Sequence, residues 1–288
     1  MRSLVRLANQ IYARPVAITP AAWAAIDEQF RAALERDRVK ASDDLKVSDD
    51  DDDDQLDLPY RVAGDVAIVP LHGVCGRHLS SLDMACGGVD VDVVASAIYQ
   101  AVEDATVSAI VLDVDSPGGS VSGVPNLGKV VRDASKPVVA FIDDLGASAA
   151  YWVSSQAAMI CVGPAATVGS VGVYCAVLDE SRKYEANGKR VDVIASGKYK
   201  GAGIPGTSLT AEQRAQLQAE IDGVASVFRG AVMDKRKVSV DLLDGRCLIG
   251  ADAVSAGFAD AVTDLTGAVQ AAHDIAHFAA APAAGGNK

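Results

Sequence analysis

Positive charge is scarce in this chain and histidine scarcer. Lysine and arginine number 26 against 38 acidic residues, a formal charge of −12, so there is no cationic surface to follow a phosphate backbone, and nucleic acid is not an expected partner. The histidines are His72, His78, His273 and His277, which leaves none between His78 and His273. His273 and His277 could share a helix face, but no further ligand cluster surrounds them in sequence, so they read as surface residues and no metal is expected. The cysteines, Cys75, Cys86, Cys161, Cys175 and Cys247, are odd in number, scattered and free of CxxC spacing. That pattern excludes a disulfide framework and a zinc ribbon, and fits a reducing compartment. A long apolar run is also lacking. The opening MRSLVRLANQIYARP has no continuous apolar stretch, and the uncharged segment between Asp144 and Asp179 is broken by Gly, Ser and Pro164. No membrane anchor or secretory leader is expected, and the cytoplasm is the expected location.

What is present is a large apolar fraction, 50% of 288 residues, enough for a sizeable core. Much of the acidity is local, in the aspartate run 49–54 with Asp43, Asp44 and Asp57 beside it, where like charges repel and no core can form. This run reads as a linker over 43–58. Ahead of it, Thr19-Pro20 is a helix start, and Trp23, Ile26, Phe30 and Leu34 then share one face. A helical segment over 1–42 is therefore expected, separable from a domain over 59–266, with an Ala-rich helix and tail over 267–288.

Within 59–266 short apolar runs alternate with helical patterns. VAIVPL at 66–71, AIVLDV at 109–114, VVAFI at 138–142, MICV, VGVY and VDVIA at 191–195 read as strands. Helices are expected around Val94, Ile98 and Val102, after Gly123, from Ser148 onward, and after the capping box Thr210/Gln213, where Leu217, Ile221, Val224 and Phe228 form a buried stripe. The alternation implies an α/β domain with parallel strands and helical crossovers.

Three segments carry chemistry. DSPGGS at 115–120 follows an apolar strand, and its glycines let a carbonyl oxygen approach exposed N–H groups, as an oxyanion hole requires. LGASAAYW at 145–152 places Ser148 among small residues at a helix start, either an ordinary cap or a nucleophile with room beside it. SGKYKGAGIPG at 196–206 holds Lys198 and Lys200, and a lysine becomes a base near neutral pH only where water is kept away. Each is commonplace alone. Their order and spacing, together with TVGSVGV at 167–173 and DGRCLIGADAVSAGFAD from Asp244, resemble the S49 peptidases, which include bacterial signal peptide peptidase A and phage head-maturation proteases.

The resemblance implies a crotonase/Clp-like fold of repeated ββα units, here with an added N-terminal helix. It implies Ser148 as nucleophile, Lys200 as base with Lys198 as the non-matching control, and an oxyanion hole from Gly118 or Gly119 with Ala149. It implies no cofactor, a polypeptide substrate, and a ring-like homo-oligomer whose site is completed across a subunit boundary. Two departures stand out: Ala149-Ala150 where many members have Gly-Gly, and the missing anchor of signal peptide peptidase A. The N-terminal helix and acidic linker resemble phage members, which brings capsid or scaffold proteins in as partners and the phage prohead or host cytoplasm as location. A Clp-type Ser-His-Asp enzyme would need a histidine downstream of the serine in the core, and there is none. A crotonase-like acyl-CoA enzyme would leave the Ser and Lys segments unexplained. A catalytically silent scaffold with the same fold is the other alternative, kept open by the alanines after Ser148.

Overall fold

The computed structural model describes residues 16–19 and 59–280. The expected helix over residues 20–38, the acidic run and the end of the tail lie outside the described residues.

The three longest apolar runs become the centre of a mostly parallel sheet. β3 (Val66–His72), β6 (Ala109–Ser116) and β8 (Val138–Ala147) lie side by side, in register along Val66↔Ala109 and Ile110↔Val138. Their side chains divide by the period of two that a strand imposes. Val69, Leu71, Ile110, Leu112, Ala140 and Ile142 face one core, whereas Val66, Ile68, Val111, Val139 and Phe141 face the other. Each fully buried Val, Leu or Ile contributes about 1.5–3 kcal/mol, which makes this triple the stable heart of the molecule.

Helices cover both faces. α2 (Val91–Glu103) and α3 (Val124–Asp133) close the first core, and the Ala-rich α8 (Leu265–Ala280) lies on the second through Ala268 and Ala272. Small residues on α8 let it sit close to the sheet. The numbering counts α1 (Ser81–Ala85), α4 (Ala149–Ser154), α5 (Ser181–Ala186), α6 (Ala211–Lys235) and α7 (Gly250–Ser255) between them. The sheet continues outward through β2 (Arg61–Ala63) on one side and β10 (Thr167–Gly169) and β11 (Cys247–Ile249) on the other, with β9 (Met159–Val162) and β12 (Ala261–Val262) paired off β8.

A second, smaller sheet has the order β1-β7-β4-β5, formed by Val16–Ile18, Gly118–Ser120, Val74–Gly76 and Gly88–Asp90. The chain passes from β3 to β4 and from β6 to β7, each time leaving the large sheet for the small one before a helix follows. This is the repeated ββα arrangement that the sequence resemblance implies.

Three expectations need correction. VGVY is not a regular strand, and only Tyr174 bridges, to Val16. Residues 191–195 form no strand either: among the described residues no strand pairs with them, and Ile194 is 100% exposed. On α6 the capping box forms as expected, but burial reaches only Ala225, Phe228 and Val232, while Leu217, Ile221 and Val224 stay half-exposed. In addition, Val16–Ile18, ahead of the expected boundary near Pro59, is an integral strand of the small sheet and fully buried.

Candidate active site

β6 ends in a register shift between Val114 and Ser116, and Pro117 turns the chain into β7. Ser116 is buried and makes this turn rigid: its Oγ donates to the Gly73 carbonyl at 2.6 Å and accepts from the Gly118 N–H at 3.2 Å. The glycines that follow are required by space. A Cβ on Gly119 would lie 2.0 Å from the Cys75 carbonyl oxygen, and one on Gly118, whose φ is +92°, would lie 2.2 Å from that of Ala17. Gly119 therefore runs between β4 and β1 with no side chain in the way.

Ser148 sits at the turn from β8 into α4. Its backbone is held at φ 57°, ψ −118°, a region costly for any residue with a Cβ. The Ser148 N–H donates to the Gly169 carbonyl at 2.8 Å, while its hydroxyl makes no capping hydrogen bond. An ordinary cap would spend that oxygen on the helix, so the hydroxyl stays available for chemistry. α4 behind it is fixed by a Trp152–Phe228 stack with ring centres 4.5 Å apart and by Tyr151, whose hydroxyl donates to the Phe258 carbonyl at 2.9 Å. Burial raises the Tyr151 pKa, which keeps that hydroxyl a donor. The place a Gly118 Cβ would take is 2.9 Å from both Ser148 Cβ and the Ala149 nitrogen. Ser148, Ala149 and the β7 glycines thus meet at one point.

No contact joins Lys200 to them among the described residues. It lies exposed in the stretch 196–203 and lines a shallow cleft with Val193, Ser196, Gly197, Lys198 and Gln213, a cleft that does not include Ser148. No hydrogen bond or ion pair reaches its ammonium group among the described residues. Lys198 differs: its Nζ lies 4.8 Å from the centre of the Tyr199 ring, and a hydrogen bond to Tyr199 raises its pKa, the wrong direction for a base.

Sequence reasoning missed two features of the site. Ser170, one residue past the Gly169 that accepts from Ser148, is buried and has φ +52°; the motif around it was visible, its strain was not. The other is β1. Elsewhere, His273 and His277 lie at the surface as read, but with an acidic neighbour that the sequence did not show. Asp65 accepts from His273 Nδ1 at 2.8 Å and lies 3.8 Å from His277, and its pKa is pulled down to about 2, first by a hydrogen bond from Ser108 and then by His273. These three groups lie within 4.8 Å of one another. Because Ser108 and His273 already satisfy the carboxylate, the group docks α8 onto the β2–β3 turn.

The chain is 28% identical to capsid assembly protease C of Escherichia phage lambda over 95% of this chain and 66% of that protein. It is 28% identical to head-tail preconnector protein GP5 of Enterobacteria phage P21 over 73% of this chain and 43% of that protein. It is 30% identical to protease 4 of Salmonella typhi over 78% of this chain and 37% of that protein. The chain therefore spans less than two thirds of these relatives. Among solved structures, an enoyl-CoA hydratase/isomerase family protein from Silicibacter pomeroyi aligns at a TM-score of 0.46 and 14% identity, covering 78% of this chain and 83% of that one, too distant to carry an argument. No described helix is long and apolar enough to cross a membrane. The family model Peptidase family S49 matches residues 131–278, from the end of α3 through the Ser148 turn to α8, and the chain belongs to that family.

Proposed function

We propose that the chain is a serine endopeptidase in which Ser148 attacks the peptide carbonyl, the N–H groups of Gly119 and Ala149 hold the oxyanion, and Lys200 is the base. The observation that supports this best is the strained Ser148 backbone with its uncommitted hydroxyl, beside glycines that admit a second main chain. Gly119 is preferred to Gly118 because the Gly118 N–H is already given to Ser116. The Ser148 proton passes to Lys200 as Oγ bonds to carbon, then to the leaving amine; water resolves the acyl-enzyme by the same route. No cofactor or metal takes part.

Lys200 comes from a neighbouring copy in a ring-like homo-oligomer. A lysine acts as a base only where water is displaced, and its stretch is exposed alongside Val193, Ile194, Tyr199 and Ile204. Apolar side chains of that size on one exposed stretch favour a protein neighbour. The substrate is an extended polypeptide, and phage capsid or scaffold proteins are the candidates that the named relatives favour. The prohead or host cytoplasm is the corresponding location. The second reading is a silent scaffold with this fold, favoured by the preconnector name of one relative and by Ala149-Ala150.

Fluorophosphonate labelling separates the two. The peptidase is labelled at Ser148 and the Ser148→Ala protein is not; absence of label on the assembled wild type overturns the reading. The shared site is tested by refolding Ser148→Ala with Lys200→Ala: activity returns in the mixture, and none returns if the dyad lies within one chain.

A further inference from the structure

β1 lies where a substrate would lie. It runs antiparallel to β7 with Val16↔Ser120, Ala17↔Gly119 and Ile18↔Gly118 opposed. On its other side Val16 exchanges both main-chain hydrogen bonds with Tyr174, at 2.9 and 3.0 Å. A short segment gripped by its main chain on both edges is how an extended peptide is held when it is added to a sheet.

The register points one carbonyl at the nucleophile. The Thr19 N–H donates to the Pro117 carbonyl at 3.0 Å, and hydrogen-bonded pairs alternate along an antiparallel ladder. Ala17 is therefore the residue that faces the Gly119 N–H. The Ala17 carbonyl oxygen is 2.2 Å from the place of the missing Gly118 Cβ, and Ser148 Cβ and the Ala149 nitrogen are each 2.9 Å from the same place. The carbonyl thus stands among the groups assigned above to the nucleophile and the oxyanion hole. With β1 seated, Ser148 is only 1% exposed, so no other polypeptide reaches it until this strand leaves.

We infer that residues 16–19 occupy the substrate strand of this site, and that the Ala17–Ile18 peptide bond is a self-cleavage point whose scission opens the site. The inference rests on the peptidase reading. Ser148 Oγ bonds to the Ala17 carbonyl carbon, and its proton passes through the base to the Ile18 nitrogen as the C–N bond breaks. Water then splits the ester, which leaves residues 1–17 with a new carboxylate, a chain beginning at Ile18, and Ser148 restored. The side chain at the cleaved carbonyl is a methyl group in a fully buried place, so the substrates this site takes in trans carry a small residue there.

The test uses the full chain, incubated and followed by intact mass, with hydrolysis of a fluorogenic peptide spanning residues 10–22 measured in parallel. Wild type should yield a species beginning at Ile18, and Ser148→Ala should stay whole. Ala17→Asp, which puts a charge in the buried place and expels the strand, should stay whole yet cleave the peptide at least fivefold faster than freshly prepared, uncut wild type. Deleting residues 1–19 should give the same gain. Scission at another bond refutes the register. Wild type that hydrolyses the peptide with its own Ala17–Ile18 bond intact, with no gain in either variant, overturns the inference and leaves the peptidase reading standing. No hydrolysis by any form, with Ser148 unlabelled by fluorophosphonate, removes both.

Discussion

The segment that carries Ser148 and the one that carries Lys200 differ in almost every physical respect. Ser148 stands between a strand buried on both faces and a helix whose six residues are all buried, with its backbone angles forced by the surroundings. Lys200 stands on a stretch that pairs with no strand among the described residues, where Ile194 and Tyr199 meet solvent. The proposed nucleophile needs a fixed geometry, and the strained turn at residue 148 is fixed by contacts within the protomer. A lysine base needs dryness, which a loop on one protomer cannot supply for itself.

The sharpest break would come from the two residues themselves. Ser148→Ala and Lys200→Ala should each lower peptide hydrolysis by about 10^4-fold or more, since members of a catalytic unit act together, while Lys198→Ala stays within about threefold of wild type. Equal loss at both lysines, read in initial rates, would leave the base unassigned.

Next in size is the cost of spoiling the rigid half. Gly119→Ala drives a Cβ into the Cys75 carbonyl and should destabilise the protein by about 1–3 kcal/mol, seen as a lower Tm, with activity lost beyond the loss of folded protein. A variant with unchanged Tm would mean that β4 and β7 part more easily than their spacing implies.

The rigid half was the legible half. Strands β3, β6 and β8 announce themselves because their first halves are buried on both faces, so residues 66–69, 109–112 and 138–142 are apolar without a break, and Ser148 is flagged by the small residues around it. β1 was illegible for the opposite reason. It is three residues long, it precedes a Thr19-Pro20 pair that reads as a helix start, and it pairs with glycines, which leave no alternating side-chain pattern to read. Residues 191–195 have a strand's composition, but a strand needs a partner, and none pairs with them among the described residues. The Asp65–His273 contact joins residues 208 apart in sequence, beyond any local pattern.

A milder perturbation probes the exposed half. Ile194→Ser should leave the protomer's Tm within about 1 °C, since a fully exposed side chain contributes little to folding, yet shift sedimentation toward smaller species. Unchanged assembly would place the interface elsewhere.

The smallest effect concerns α8. The Asp65 carboxylate is held near a pKa of about 2, below its unfolded value, so its contribution to stability is present at neutral pH and is lost as pH falls from about 4 through about 2. Asp65→Asn should flatten the acid limb of the stability curve and loosen amide protection in α8 alone. A wild-type acid limb in this variant would show that the contact does not hold the helix.

α6 ties the two halves together in a mechanical sense. Its burial is concentrated at the distal end, with Phe228 against Trp152, Val232 in the core, and Gln156 donating to the Ala231 carbonyl at 2.8 Å. Its first fourteen residues, roughly 20 Å of helix, are mostly exposed, with Leu217 and Ile221 lining a cavity beside Tyr174 and Cys175, and near its start Gln213 donates to the Lys198 carbonyl at 3.2 Å. The clamp is thus built against the same short helix that begins at Ser148. A change at the clamp such as Phe228→Leu therefore reaches the lysine-bearing stretch through the helix and its Gln213–Lys198 contact, from a residue that touches neither lysine.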